Sequence, residues 1–186
     1  MKTLKLLSFA AIALFFNGCS TDDNPLPINE EELITTVQVT LTSAGSDAIL
    51  LTYRDLDGDG PGVPQVTVSG NLNSNTIYDG SIQLLNESVT PSDNITLEIT
   101  EEAEDHQFFY GIPSVIGSVA YAAPNDADGN PVGVNFELTT ISAGTGNFTV
   151  ILKHEPNKLA AGVAQGDVTN AGGETDVEVS FPIIIQ

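Results

Sequence analysis

The feature that most constrains the fold is an alternation of apolar and polar residues that recurs through the chain after Leu33. Val37, Val39 and Leu41 interleave with Thr36, Gln38 and Thr40, and Ile95, Leu97 and Ile99 with Thr96, Glu98 and Thr100. Val134, Phe136 and Leu138 repeat the spacing, as do Phe148, Val150 and Leu152, and the chain ends on Val177, Val179, Phe181, Ile183 and Ile185. Successive side chains of a strand point to opposite faces, so period two builds strands with one buried and one wet face. Further strands are expected over residues 48–53, 65–69, 76–85, 107–112 and 114–121, separated by Gly, Asn, Asp and Pro clusters that read as turns. Clean alternation is the mark of antiparallel rather than parallel sheet. The expected fold is therefore all-β, a single antiparallel β-sandwich of immunoglobulin-like type. The apolar last strand is expected inside a sheet, because an exposed edge of that composition invites aggregation. No long amphipathic helix and no internal repeat interrupts the pattern. Residues 157–175, rich in Gly and Ala, read as a long loop with a helical turn near residues 158–163.

The sandwich is expected to span residues 33–186, behind two shorter segments. Residues 1–18 carry Lys2 and Lys5 and then an apolar run over 6–16, too short for a membrane-spanning helix, which needs about 20 apolar residues. The segment reads as a secretory signal peptide. The one cysteine of the chain, Cys19, follows it directly. Phe16-Asn17-Gly18-Cys19 resembles the lipobox of bacterial lipoproteins, which implies that Cys19 is diacylated and becomes the mature N-terminus. Residues 19–32 are polar, acidic and proline-bearing, a composition that suits a flexible tether. Asp22 and Asp23 resemble the export signal that sends lipoproteins of Bacteroidota-type bacteria to the cell surface. The expected location is the outer membrane, lipid-anchored, with display at the cell surface favoured over a periplasm-facing orientation.

Charge narrows the partners. Asp and Glu number 25 against 5 Lys and Arg, and loss of Lys2 and Lys5 with the signal peptide takes the formal charge from −20 to −22. Nucleic acid is excluded, because affinity for phosphates comes from Lys and Arg. A field of this sign draws cations and basic protein surfaces.

Three acidic motifs are candidate sites. In DLDGDG, residues 55–60, Asp55, Asp57 and Asp59 alternate before a glycine, a layout that can wrap carboxylates around calcium. It is not an EF-hand: Val66 stands where the twelfth-position Glu belongs, and Pro61 and Pro64 forbid the exit helix. The plain alternative is a solvated Asp/Gly turn. NDADGN, residues 125–130, reads first as a hairpin turn with Gly129 at positive φ; the alternative is a calcium site at Asp126 and Asp128, two carboxylates that alone would hold the ion weakly. In EEAEDHQ, residues 101–107, a helical turn capped by Thr100 would put Glu102 and His106 on one face, a workable pair of ligands for zinc or copper. A third ligand is needed, and the one other histidine is His154 in KHEPNK. His154 follows Phe148, Val150 and Leu152 at even spacing and so points inward, while Lys153 and Glu155 point out. The metal reading requires the two histidines to meet; otherwise His154 is a packed residue at the rim of the core.

No G-x-S-x-G elbow, H-E-x-x-H helix or phosphate-binding glycine loop is present, and no cysteine remains as a nucleophile, so the chain is not expected to be an enzyme. The acidic tether, ITTVQVTL, RDLDGDGP, LEITEEAEDHQFFY, LKHEPNK and GDVTNAGGETDVEVSFP together resemble small lipoproteins of Bacteroidota-type bacteria labelled "type 1 periplasmic binding fold superfamily protein". That resemblance implies solute capture and carries over no catalytic residue. The functional expectation is a non-enzymatic envelope lipoprotein that binds a ligand or cation at the outer-membrane surface, accessory to an uptake receptor. Its rival is a structural or adhesive surface lipoprotein without a small-molecule ligand.

Overall fold

The computed structural model describes residues 33–57 and 61–186. Two antiparallel sheets enclose one core. The larger is built from β1 (Thr36–Thr42), β2 (Ile49–Arg54), β3 (Gln65–Val68), β4 (Ile77–Asn86), β7 (Gly117–Ala122) and β8 (Asn135–Thr140), in the order β3-β2-β1-β4-β8-β7. The short β5 (Asp93–Asn94) pairs with β4 beside this path. The smaller sheet has the order β10-β9-β6, from β6 (His106–Gly111), β9 (Gly144–His154) and β10 (Glu174–Ile185). The all-β, sandwich-like architecture expected from the alternation is present, with the strands among the described residues divided seven and three between the sheets.

The alternation decides what fills the space between them. Val37, Val39 and Leu41 of β1, Phe136 and Leu138 of β8, Phe148, Val150 and Leu152 of β9, and Phe181 and Ile183 of β10 all belong to one buried cluster. Its centre is aromatic: Tyr110, Phe136 and Phe148 come from three strands of the two sheets, with ring centroids 4.1 to 5.8 Å apart. Each fully buried side chain of this size contributes about 1.5–3 kcal/mol over exposure. On the small sheet, even-numbered residues of β6 and β9 face this core. Odd-numbered Phe109 and Ile151 face the other way, under Val163, Ala171 and Val168 of the 155–173 loop. That loop is thus a lid on the outer face of the small sheet.

Three local expectations are corrected. Residues 95–99 form not a strand but most of the helix α1 (Ile95–Glu101). Ile95 and Ile99, which fit both period two and a spacing of four, are buried; Leu97, which only a strand would bury with them, is 63% exposed. The last strand is not interior but lies at the edge of the small sheet. Pro182, Glu174 and Glu178 blunt its length, and residues 72–74 cover its end through Leu72 N to Ile184 O, Gln186 N to Leu72 O and Ser74 N to Gln186 O. The loop turn expected near residues 158–163 is displaced, with 3-10 turns at Val163–Gln165 and Val168–Asn170.

Candidate metal centre

β6 and β9 pair antiparallel with His106 opposite His154, and Phe108 opposite Leu152 one step inward. The inward-facing side of the small sheet therefore ends in two histidines. Their rings stack, with centroids 4.6 Å apart and planes 23° from parallel. His106 is fully buried and His154 8% exposed. The inward direction read for His154 from its even spacing holds.

A third group joins them. β10 pairs with β9 as Glu174 opposite His154 and Thr175 opposite Lys153, but Val177 opposite Leu152, so Asp176 is one residue too many. Such a β-bulge re-aims a side chain that strict alternation would send elsewhere. Ligand atoms of His106, His154 and Asp176 all lie within 4.8 Å of one another. Each of the three strands of the small sheet contributes one group. The bulge is shaped from both sides. Gly173, at φ +65°, passes so close to the His154 and Glu155 backbone that a Cβ there would overlap His154 O. The Lys153 ammonium ties the bulged strand down through Thr175 Oγ1 at 2.9 Å and Gly173 O at 3.3 Å.

Glu102 takes part through its backbone rather than its carboxylate. α1 stops at Glu101, residues 102–105 form a turn, and His106 already belongs to β6, so the helical i, i+4 arrangement is not formed. His106 Nδ1 lies 3.2 Å from Glu102 O. A carbonyl oxygen only accepts, so Nδ1 is the donor of this contact. This is the arrangement metal-bound histidines generally use, one nitrogen donating to a carbonyl while the other ligates.

Two imidazoles and a carboxylate suit zinc and its neighbours, which take N and O donors, better than calcium or magnesium, which prefer oxygen alone. Tetrahedral zinc with bonds of about 2.0–2.1 Å holds its ligand atoms roughly 3.3 Å apart, so the three donors need a modest contraction by side-chain rotation. Three protein ligands leave a fourth position for water or a further ligand.

Carboxylates of the other acidic motifs accept hydrogen bonds from nearby groups. Asp57 Oδ2 accepts the Gly62 amide at 2.9 Å, and Asp55 Oδ2 lies 3.4 Å from the Tyr53 hydroxyl. Burial and the neighbouring Asp55 charge raise the Tyr53 pKa. Asp59 lies outside the described residues. In NDADGN the expected turn is present, with Gly129 at φ +85°. Its Asp126 carboxylate accepts the amides of Asp128 and Asn130 and the ammonium of Lys158. Lys158 thus supplies a positive charge to Asp126 from within the fold.

Two clefts lie away from the histidines. One, about 830 Å³, runs along Val68 to Asn71 and Thr145 to Asn147, at the opposite end of β9. The other, about 240 Å³, lies between Tyr110 and Tyr121 beside Gln165. Desolvation pushes the Tyr121 pKa up to about 12, and burial pushes Tyr110 well above its usual value. Both hydroxyls stay protonated at neutral pH and donate to backbone carbonyls, Tyr121 to Phe108 O and Tyr110 to Gly133 O.

Sequence reasoning named both histidines and missed Asp176. Its one sequence signal is the Gly172-Gly173 pair just before an alternating strand, which hints at irregular pairing without giving its register. The sequence matches no protein-family model and none of the curated proteins it was compared with.

Proposed function

We propose that this chain is a non-enzymatic, lipid-anchored protein of the outer-membrane surface that captures a transition-metal ion, with zinc as the reference ion, at His106, His154 and Asp176. The observation that carries the reading is the meeting of the two histidines of the chain, 48 positions apart, as cross-strand partners beside a bulged aspartate. The Glu102 carbonyl supports it by holding His106 through Nδ1, the second contact that metal-bound histidines generally make. The net charge of −22 after loss of Lys2 and Lys5 supports it too, since it concentrates cations near the surface. Anchoring through Cys19 rests on the lipobox resemblance, and delivery to an outer-membrane uptake receptor on the implied solute capture. Cys19 and the tether lie outside the described residues.

Native mass spectrometry of the full chain in detergent, with zinc and calcium titrated separately, tests this reading. One zinc per chain is expected in the wild type, lost in His106→Ala and His154→Ala. No zinc uptake by the wild type at micromolar concentrations would leave a structural or adhesive lipoprotein as the better reading. Calcium uptake that disappears in Asp57→Ala but survives in His154→Ala would assign a calcium site to Asp55, Asp57 and Asp59 instead.

A further inference from the structure

Three carbonyl oxygens of the turn at residues 102–105, between α1 and β6, reach groups beyond the turn, and one of them, Glu102 O, also accepts the Asp105 amide at 3.0 Å. Glu102 O receives His106 Nδ1–H at 3.2 Å. Ala103 O receives the Lys158 ammonium at 2.5 Å. Asp105 O receives, at 2.6 Å, the backbone amide of Glu155, the residue after His154. One turn therefore holds the ring of the first histidine and the backbone beside the second.

Lys158 fixes that turn to the rest of the fold. It is 6% exposed, and its ammonium also reaches Asp126 Oδ2 at 3.0 Å and Pro131 O at 3.4 Å. Asp126, 8% exposed, is held by amides of its own turn between β7 and β8. Three segments distant in sequence, residues 102–105, 126–131 and 155–173, converge on one nitrogen. A buried ion pair is a costly way to close a corner, since apolar side chains of similar volume often do so as well or better. What an ammonium adds is direction, because its acceptors must stand at set positions around it.

We propose that Lys158, oriented by Asp126, is a positioning residue of the metal centre. By anchoring the 102–105 turn it places the Glu102 carbonyl that sets the tautomer and ring orientation of His106. The inference rests on the reading of the histidine pair as a metal site. Partners that orient ligands in this way typically govern 10- to 100-fold in metal affinity.

The test uses the full chain in detergent and three readouts: zinc affinity by competition with a chromogenic chelator, the His106 tautomer from imidazole nitrogen shifts, and the melting temperature. Lys158→Met alone strands the Asp126 charge and risks unfolding. The double variant Asp126→Asn/Lys158→Met removes both charges and keeps the question answerable. Arg54→Ala, which removes an exposed pair with Glu87, is the control. The double variant is expected to lose about 10- to 100-fold in zinc affinity and to show a mixed His106 tautomer, with the control unchanged. A folded double variant with wild-type affinity and tautomer overturns the positioning role while leaving the metal site standing. A wild type that binds no zinc defeats the metal reading itself. The tautomer then decides the remainder: unchanged in the double variant, it overturns the positioning role; mixed, it retains Lys158 as the group that orients His106.

Discussion

At the scale of single residues, the Asp126–Lys158 pair has consequences that can be measured apart from any metal. Breaking a buried pair by removing one partner typically costs about 3–5 kcal/mol, because the other charge is left uncompensated. Lys158→Met is therefore expected to lose that much in urea unfolding, and the double variant considerably less. Desolvation works to raise the Asp126 pKa. Hydrogen bonds from Lys158 and Asn130, together with the Lys158 charge, outweigh it and hold the carboxyl below the ordinary carboxylate range. A carboxyl with a depressed folded-state pKa gives stability that is fully present above its unfolded value, about 3.9, and is lost as pH falls through the folded value. Unfolding free energy measured from pH 6 down to pH 2 should decline below about pH 4, and the decline should be shallower in the double variant. A slope shared by both proteins would remove Asp126 from this account. Arg54, by contrast, lies in an exposed pair with Glu87, and Arg54→Ala is expected to cost no more than about 1 kcal/mol.

At the scale of elements, the bulge in β10 makes the sharpest prediction. Deleting Asp176 closes the ladder into regular pairing, because Thr175 and Val177 already oppose neighbouring residues of β9. The deletion should therefore leave the fold intact, within the range of about 0.5–3 kcal/mol that ordinary single changes cost, while removing the third metal ligand. Unfolding of the variant would show that the bulge serves the sheet rather than the site. Helix α1 offers a second comparison. Ile99→Ala should cost about 2–5 kcal/mol and Leu97→Ala far less, since only Ile99 is buried. Equal losses would mean that residues 95–99 are a strand after all. These two elements also show where the sequence stops being legible. Ile95, Leu97 and Ile99 satisfy period two, yet two of them satisfy a helical spacing equally well, and nothing local separates the cases. The bulge is a property of pairing between β9 and β10, and a pattern read along one strand cannot contain it.

At the scale of the whole molecule, alternation carried most of the architecture. Which face of each strand is buried follows from it, and so does the inward direction of His154 at the end of β9. The division of strands between two sheets, and the register that sets His106 opposite His154, depend on contacts between segments far apart in the chain. The sequence contained both histidines and no statement of their meeting. The edge position of β10 follows the same logic, since its protection comes from residues 72–74, more than a hundred positions away. The small sheet, with one candidate ligand from each strand, makes the histidine end the place where a metal ion would cross-link β6, β9 and β10. Binding only the folded state, a zinc ion at 100 times its dissociation constant would add about 2.7 kcal/mol, visible as a higher melting temperature that excess chelator reverses. The most direct test of the central claim is nuclear magnetic resonance of the histidine rings during a zinc titration of the full chain, which has two histidines and hence two ring spin systems to follow. Both rings are expected to shift together and saturate at one zinc per chain. Two ring systems that stay unchanged, or one that shifts without the other, would contradict that claim.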